Sequence, residues 1–389
     1  EAAIVAGLSS MGLTPVCVGI VPTPAVALLT RETGAAFGLM VTASHNKFQD
    51  NGLKLFSPDG VKFTDEVEEA LETGMFDAFE GSYAAPADVV TPRKMEEGVR
   101  RYVERCLEAV EPEADFSKLK VVLDCANGAA YRAGPDALRK LGCDLTVMGV
   151  SPDGVNINAG VGSTDTKALM KAVTDSKADI GIAFDGDADR LIVVDELGEE
   201  VDGDQVMALI ATELFHTGRL KGDGMVATVM SNMGLAEYLK GLGLTLARTK
   251  VGDRYVGEHM RAHGFNLGGE QSGHIILSDV STTGDGLLAA LQVLKVLART
   301  GKKASVVGRV FEPAPQKLVN IRYAGTNPLE TDRVISAIAR AEAEMGEKGR
   351  LVVRKSGTEP LIRVMAEALE EDMMKQALDD VVEAVEAEA

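Results

Sequence analysis

The sequence predicts an α/β protein, with three α/β domains of mixed, mostly parallel sheets and a small C-terminal α+β domain. Three observations predict it. Apolar strand-like runs alternate with helical stretches three times along the chain, at the spacing of βα units. Pro313 and Pro315 then interrupt that rhythm, and the tail beyond them has a different order. Finally, four polar loops fall where strands end, which is where α/β folds hold ligands. The domain boundaries read from this are 1–94, 95–197, 198–312 and 313–389.

In the first stretch, residues 2–30 carry no charge and superficially suggest a membrane span. Pro15, Pro22 and Pro24 interrupt it and no basic segment precedes it, so it reads as a helix over 2–12, a buried strand over 16–20 and a helix capped by Thr23-Pro24. A strand over 36–42 follows, ending in the polar loop 43–51. The second stretch predicts strands over 119–124, 143–150, 179–184 and 191–195, with helices over 128–141 and 166–176. The third predicts strands over 224–230, 245–247, 264–268 and 274–277, with helices over 234–242 and 286–299. In the tail, strands over 317–323, 349–354 and 361–367 accompany helices over 331–345 and from Glu371.

With 389 residues the chain can build several cores, and its 46% hydrophobic and 25% charged residues are those of a soluble globular protein. Forty basic against fifty-nine acidic residues give a net charge of -19. Such a surface repels nucleic acid and membranes, so an anionic substrate would need local clusters of Arg and Lys. Cys17, Cys106, Cys125 and Cys143 are scattered, the usage of reduced thiols in a cytoplasmic protein.

Each loop has its own chemistry. In Thr42-Ala-Ser-His-Asn46, Ser44 lies beside His45 and ten residues before Lys54. It reads either as an attacking hydroxyl with a base and a cation nearby, or as a turn or helix cap with an adjacent histidine. In Asp185-Gly-Asp-Ala-Asp189-Arg190, alternate residues of an extended segment would converge three carboxylates, whose repulsion a hard divalent cation relieves. Arg190 could then hold a substrate oxyanion beside the metal. An EF-hand is the rival reading, with acids at its first, third and fifth positions and Glu196 at its twelfth. It fails because Arg190 stands where that loop needs glycine and both flanks read as strands. The third loop, Gly268 to His274, combines close-approach glycines with Glu270, Gln271 and Ser272, which can read hydroxyls. The fourth, Arg354 to Arg363, gathers two Arg, a Lys and two hydroxyls, an anion cradle.

In this order the loops resemble the α-D-phosphohexomutase superfamily over nearly the whole chain. The segments that carry the resemblance are TASHN, DNGLKLF, DCANGAAY, VNINAGVGSTD, FDGDADR, VDGDQ, SNMGL, KVGDRYV, GEQSGH and RKSGTEPLIRVM. Gln271, together with KVGDRYV, favours the branch acting on glucosamine phosphates. The resemblance implies four domains around a central cleft and a cytoplasmic isomerase that serves amino-sugar nucleotide and cell-wall precursor synthesis. It implies that Ser44, as phosphoserine, donates its phosphate to glucosamine 6-phosphate; the bisphosphate reorients, and glucosamine 1-phosphate is released. Mg²⁺ would be held by Ser44, Asp185, Asp187 and Asp189, and hexose 1,6-bisphosphate would act as activator. Lys54 and Arg190 would support phosphoryl transfer, with the base either His45 or Lys54. Lys250, Asp253, Arg254, Glu270, Gln271, Ser272 and His274 would bind substrate. Arg354, Ser356, Gly357, Thr358 and Arg363 would grip the phosphate that is not transferred. The partner implied is a small phosphosugar, not nucleic acid or a membrane, and a homodimer is one assembly it admits. The alternatives are a phosphomannomutase/phosphoglucomutase on neutral hexoses and a non-catalytic phosphosugar-binding protein. Two departures stand out: Lys47 occupies a place where relatives usually have proline, and no GTDGIRG-like segment is present, so the first domain is expected to be incomplete at its N-terminus.

Overall fold

The computed structural model describes residues 1–76, 90–110, 114–324, 327–356 and 360–389. The chain packs as two compact units, Glu1–Val226 with Gly252–Val310, and Ala227–Val251 with Phe311–Ala389. The boundary between them falls inside the expected third domain.

At the centre of the first unit is a five-stranded sheet in the order Asp144–Met148, Lys120–Asp124, Ile180–Phe184, Leu191–Asp195, Glu200–Val201. Its first three strands are parallel and the last two turn back antiparallel, so the sheet is mixed. Ile180–Phe184 is buried along its whole length, as a central strand covered on both faces must be. The helix Lys167–Ser176 sets Leu169 and Val173 against Val122, Ala183 and Val194 on one face. The helix Ala130–Leu141 brings Gly134 close to Leu123 and Phe184, where an added Cβ would sit 3.1 Å from Leu123 Cδ2.

Because Lys120–Asp124 and Ile180–Phe184 run parallel, the loops after them leave the same edge of the sheet. Buried Asp124 ties that edge together by accepting the N–H groups of Ala126 at 2.9 Å and Gly162 at 2.7 Å. Ala129 N–H then donates to Gly186 O at 2.7 Å, joining one loop to the other.

Elsewhere in this unit, Gly38–Thr42 and Gly52–Phe56 form an antiparallel hairpin. Val16–Cys17 pairs in parallel with Arg93–Lys94, and Leu267–Gly269 forms a hairpin with Ile275–Leu277. The helix Thr23–Thr33 corrects one expectation. It starts at Pro22 without a side-chain cap, and the Thr23 hydroxyl donates instead to Asp187. Helices Gly203–His216 and Asp253–His263 were not legible as periodic segments. The first is buried on nearly all sides, which removes the polar face that would mark it.

The second unit contains a three-stranded antiparallel sheet, Gln316–Arg322, Leu361–Ala368, Gly349–Lys355, with Leu361–Ala368 in the middle. Helices Asp332–Met345 and Glu371–Glu386 bury Val334, Ala341, Leu378 and Val381 against Ile362, Val364 and Ala366. Arg350 Nε donates to buried Glu367 at 2.7 Å, while the other Glu367 oxygen caps the helix Met233–Gly241 by accepting Met233 N–H at 2.6 Å. Leu378 is 1% exposed in this core. Leu378→Ala is expected to destabilise the unit by about 2–5 kcal/mol, read as a lower urea midpoint at unchanged m-value. A loss under about 1 kcal/mol would show that the helix Glu371–Glu386 is not fixed by this contact.

Candidate active site

The chemistry concentrates at the turn that follows the strand Ile180–Phe184. Asp185, Asp187 and Asp189 do converge, but not by alternation along an extended segment. The chain turns sharply, with Ala188 N–H donating to Asp185 O at 3.1 Å and Ala188 in the left-handed region at φ 59°. All three side chains are buried, and each offers an oxygen within 4.8 Å of the other two. Among the described residues, Asp185 Oδ2, Asp187 Oδ1 and Asp189 Oδ1 accept no hydrogen bond. Three desolvated, unpartnered carboxylate oxygens at that separation fit a hard divalent cation.

Cationic groups partly compensate this charge. Lys54 Nζ lies 2.6 Å from both Asp187 Oδ2 and Asp189 Oδ2. Burial works against its ammonium, yet Asp189 and Asp187 outweigh that and raise its pKa above the ordinary lysine value. Asp185 is pushed well above the carboxylate range by burial and then by Asp189 and Asp187. For Asp189 burial acts in the same upward sense, but Lys54, His274 and Lys62 prevail and hold it low. Arg190 adds its guanidinium at the mouth, with Nε 3.9 Å from Asp185 Oδ2.

Ser44 sits just past the end of the strand Gly38–Thr42, in the left-handed region at φ 50°. Its N–H donates to Thr42 Oγ1 at 2.7 Å, and its Oγ lies 3.3 Å from His45 Nδ1. Asn158 clamps the loop from below, donating to Ser44 O at 2.8 Å and Asn46 O at 2.6 Å. Gly186 closes the contact between this loop and the acidic turn. A Cβ there would lie 2.5 Å from Ser44 O and 2.7 Å from Asn158 Nδ2, so only glycine fits. His45 titrates below its ordinary value, chiefly through burial and then through Arg190.

The residues expected to read the sugar are differently occupied. His274 is 2% exposed, with Nε2 3.1 Å from Asp253 Oδ2 and 3.6 Å from Asp189 Oδ2. Its ring is therefore packed against the acidic turn, between Asp253 and Asp189. Asp253 also pairs with Lys62, and Arg254 pairs with Asp65 and Glu68. Glu270 accepts Gly252 N–H at 3.2 Å, Gln271 Nε2 reaches Asp202 at 3.4 Å, and Ser272 is exposed. Lys250 belongs to the second unit.

In that second unit the antiparallel register sets Arg354 directly opposite Arg363. Arg354 titrates below the usual arginine value because of burial and then Arg363. Among the described residues, buried Arg363 Nε has no hydrogen-bond partner, and Ser356 is buried at the strand end. Two guanidinium groups side by side suit an anion between them. Gly357 and Thr358 lie outside the described residues.

Thr23, Lys62 and Asn158 escaped the sequence reading. Asn158 had the best signal, an Asn in the VNINAGVGSTD segment, but its partners are 112 and 114 residues away.

The chain matches the phosphoglucomutase/phosphomannomutase family throughout: α/β/α domain I at residues 1–81, II at 100–198, III at 202–312, and the C-terminal domain at 318–384. A phosphoglucosamine mutase of Hyphomonas neptunium is 70% identical over 389 residues, covering 100% of this chain and 87% of that protein. Among solved structures, a phosphoglucomutase/phosphomannomutase family protein from Burkholderia thailandensis superposes with TM-score 0.81 at 24% identity, covering 100% of this chain and 86% of the other. The Aspergillus fumigatus N-acetylphosphoglucosamine mutase, in complex with GlcNAc-6P and magnesium, gives TM-score 0.71 at 22% identity, covering 94% of this chain and 92% of that one.

The electrostatics of His45 can be measured. Its ring should titrate below 6.5 by NMR. Arg190→Gln should raise that midpoint, since losing a cation favours the protonated ring. A midpoint at or above 6.5 in the unaltered protein would contradict the buried setting of the ring.

Proposed function

Since this chain belongs to the phosphoglucomutase/phosphomannomutase family, we propose that it is a phosphosugar mutase interconverting glucosamine 6-phosphate and glucosamine 1-phosphate. It is an isomerase, acting in the cytoplasm on amino-sugar phosphates bound for nucleotide-sugar and cell-wall precursors. No helix among the described residues is long and apolar enough to cross a membrane. The carrying observation is the contact, through Gly186, between the Ser44 loop and a buried turn with three unpartnered carboxylate oxygens.

In this reading Ser44 is the phosphorylated nucleophile. Its phosphoryl group passes to O1 of glucosamine 6-phosphate: the P–Oγ bond breaks, the P–O1 bond forms, and the 1,6-bisphosphate results. O1 must lose a proton and Ser44 Oγ must gain one. His45, held toward its neutral form with Nδ1 3.3 Å from Ser44 Oγ, is placed to exchange them. Lys54 is engaged as an ammonium by Asp187 and Asp189, which favours charge neutralisation as its role. After reorientation, the 6-phosphoryl group returns to Ser44 and glucosamine 1-phosphate leaves. A hexose 1,6-bisphosphate, the activator, would phosphorylate Ser44 by the same transfer.

Asp185, Asp187, Asp189 and the Ser44 phosphate would hold Mg²⁺, which when bound supplies positive charge to the transferring phosphoryl oxygens. Arg354 and Arg363, with Ser356, Gly357 and Thr358, would grip the phosphate at the other end of the sugar. Glu270, Gln271 and Ser272 would read its hydroxyl groups. Lys250, Asp253, Arg254 and His274 complete the proposed substrate-binding set.

Coupled assays with a catalytic bisphosphate should give turnover on glucosamine 6-phosphate well above that on glucose or mannose 6-phosphate. Ser44→Ala should abolish it, and full activity in that variant would sink the mechanism. Arg354→Ala should weaken substrate binding by about 1.5–3 kcal/mol while Ser44 still accepts phosphate from the bisphosphate. Unchanged affinity would remove Arg354 from the site.

A further inference from the structure

The segment Ser281-Thr-Thr-Gly-Asp-Gly286 plays no part in the chemistry above, yet it underlies the acidic turn. Gly286 N–H donates to Ala188 O at 3.0 Å, the carbonyl of the left-handed residue between Asp187 and Asp189. The approach is close, because a Cβ at Gly286 would lie 2.4 Å from Arg190 O. One residue earlier, Asp285 caps the helix Gly286–Thr300 by accepting Leu288 N–H at 2.9 Å. The same Asp285 oxygen accepts the Tyr102 hydroxyl at 2.6 Å, from the helix Gly98–Glu108. At Gly284 a Cβ would fall 2.2 Å from Cε1 of His274, the ring that faces Asp189. Tyr102, Asp285 and His274 are each at most 2% exposed, so these contacts are made without competing water.

We propose that Tyr102 and Asp285 are positioning residues for the metal turn. By fixing the first turn of the helix Gly286–Thr300, they hold Ala188, and with it the spacing of the three carboxylate oxygens. Neither residue belongs to the carboxylate cluster itself, and neither is given a role in the reaction above. The inference rests on reading Asp185, Asp187 and Asp189 as a metal site.

Both layers can be tested on the full chain by titrating Mn²⁺ calorimetrically or by electron paramagnetic resonance, alongside thermal melts. The unaltered protein should bind Mn²⁺ and Asp187→Asn should lose it. Binding that is absent, or that survives Asp187→Asn, would overturn the metal reading and this inference with it. Given that binding, Tyr102→Phe and Asp285→Asn should weaken Mn²⁺ by roughly 10–100-fold while the protein stays folded. The Mg²⁺ needed for half-maximal activity should rise, and KM for the sugar phosphate at saturating Mg²⁺ should not. An unchanged Mn²⁺ affinity in folded Tyr102→Phe, even with a lowered Tm, would overturn the proposal. Should Asp285→Asn fail to fold, the Tyr102→Phe result decides alone.

Discussion

Three carboxylates in one buried turn repel each other and have lost most of their hydration, and much of the first unit is arranged around that constraint. Lys54 comes from the hairpin, His274 from the end of another hairpin, and the Thr23 hydroxyl from the start of a helix. Lys54 brings a cation, Thr23 a donor and His274 a buried ring to the same turn, each from a different part of the chain. Even so, three oxygens stay unpartnered. The packing therefore stops short of satisfying the turn, and the remaining charge is available to an ion and a phosphate. A fully compensated turn would be more stable and chemically idle.

The strands were largely legible because their signal is local. Central strands such as Ile180–Phe184 are short apolar runs ending in polar loops, and the structure places them within a residue or two of the sequence reading. The acidic turn was legible as composition but not as geometry. Alternating aspartates suggest an extended segment, whereas Ala188 takes a left-handed conformation that its side chain gives no hint of. Thr23-Pro24 looked like a helix start and was one, but the hydroxyl is drawn 164 residues along the chain to Asp187. Similarly, His274 carries a polar ring in a polar loop, and only tertiary contacts reveal that it is buried against two carboxylates. What sequence hides here is partnership over long separation.

The second unit manages charge in the opposite sense. Directly opposite like charges destabilise a sheet, and Arg354 facing Arg363 is such a pair. The cost is tolerable because the strands that carry them are held by a core packed under two helices. Arg350 shows the contrasting solution. Its partner Glu367 is buried, and it also donates to Val229 O at 2.6 Å, so its charge is fully absorbed by structure. Arg350 and Arg354, on the same strand, thus differ in whether the residue across the sheet neutralises their charge.

The hairpin that presents Ser44 and Lys54 also limits how the gene can change length. Thr42 pairs with Gly52 and Met40 with Lys54, so the ladder fixes which face of the strand Lys54 occupies. One residue inserted between Gly52 and Lys54 would reverse that face and carry the ammonium away from Asp187 and Asp189. The connection from Lys47 to Asn51 is outside the ladder, so lengthening it leaves the register of the strands unchanged, at the cost of loop entropy and of local turn hydrogen bonds such as Asp50 N–H to Lys47 O. A change of length within either strand therefore costs the Lys54 contact, whereas a substitution that keeps the register does not.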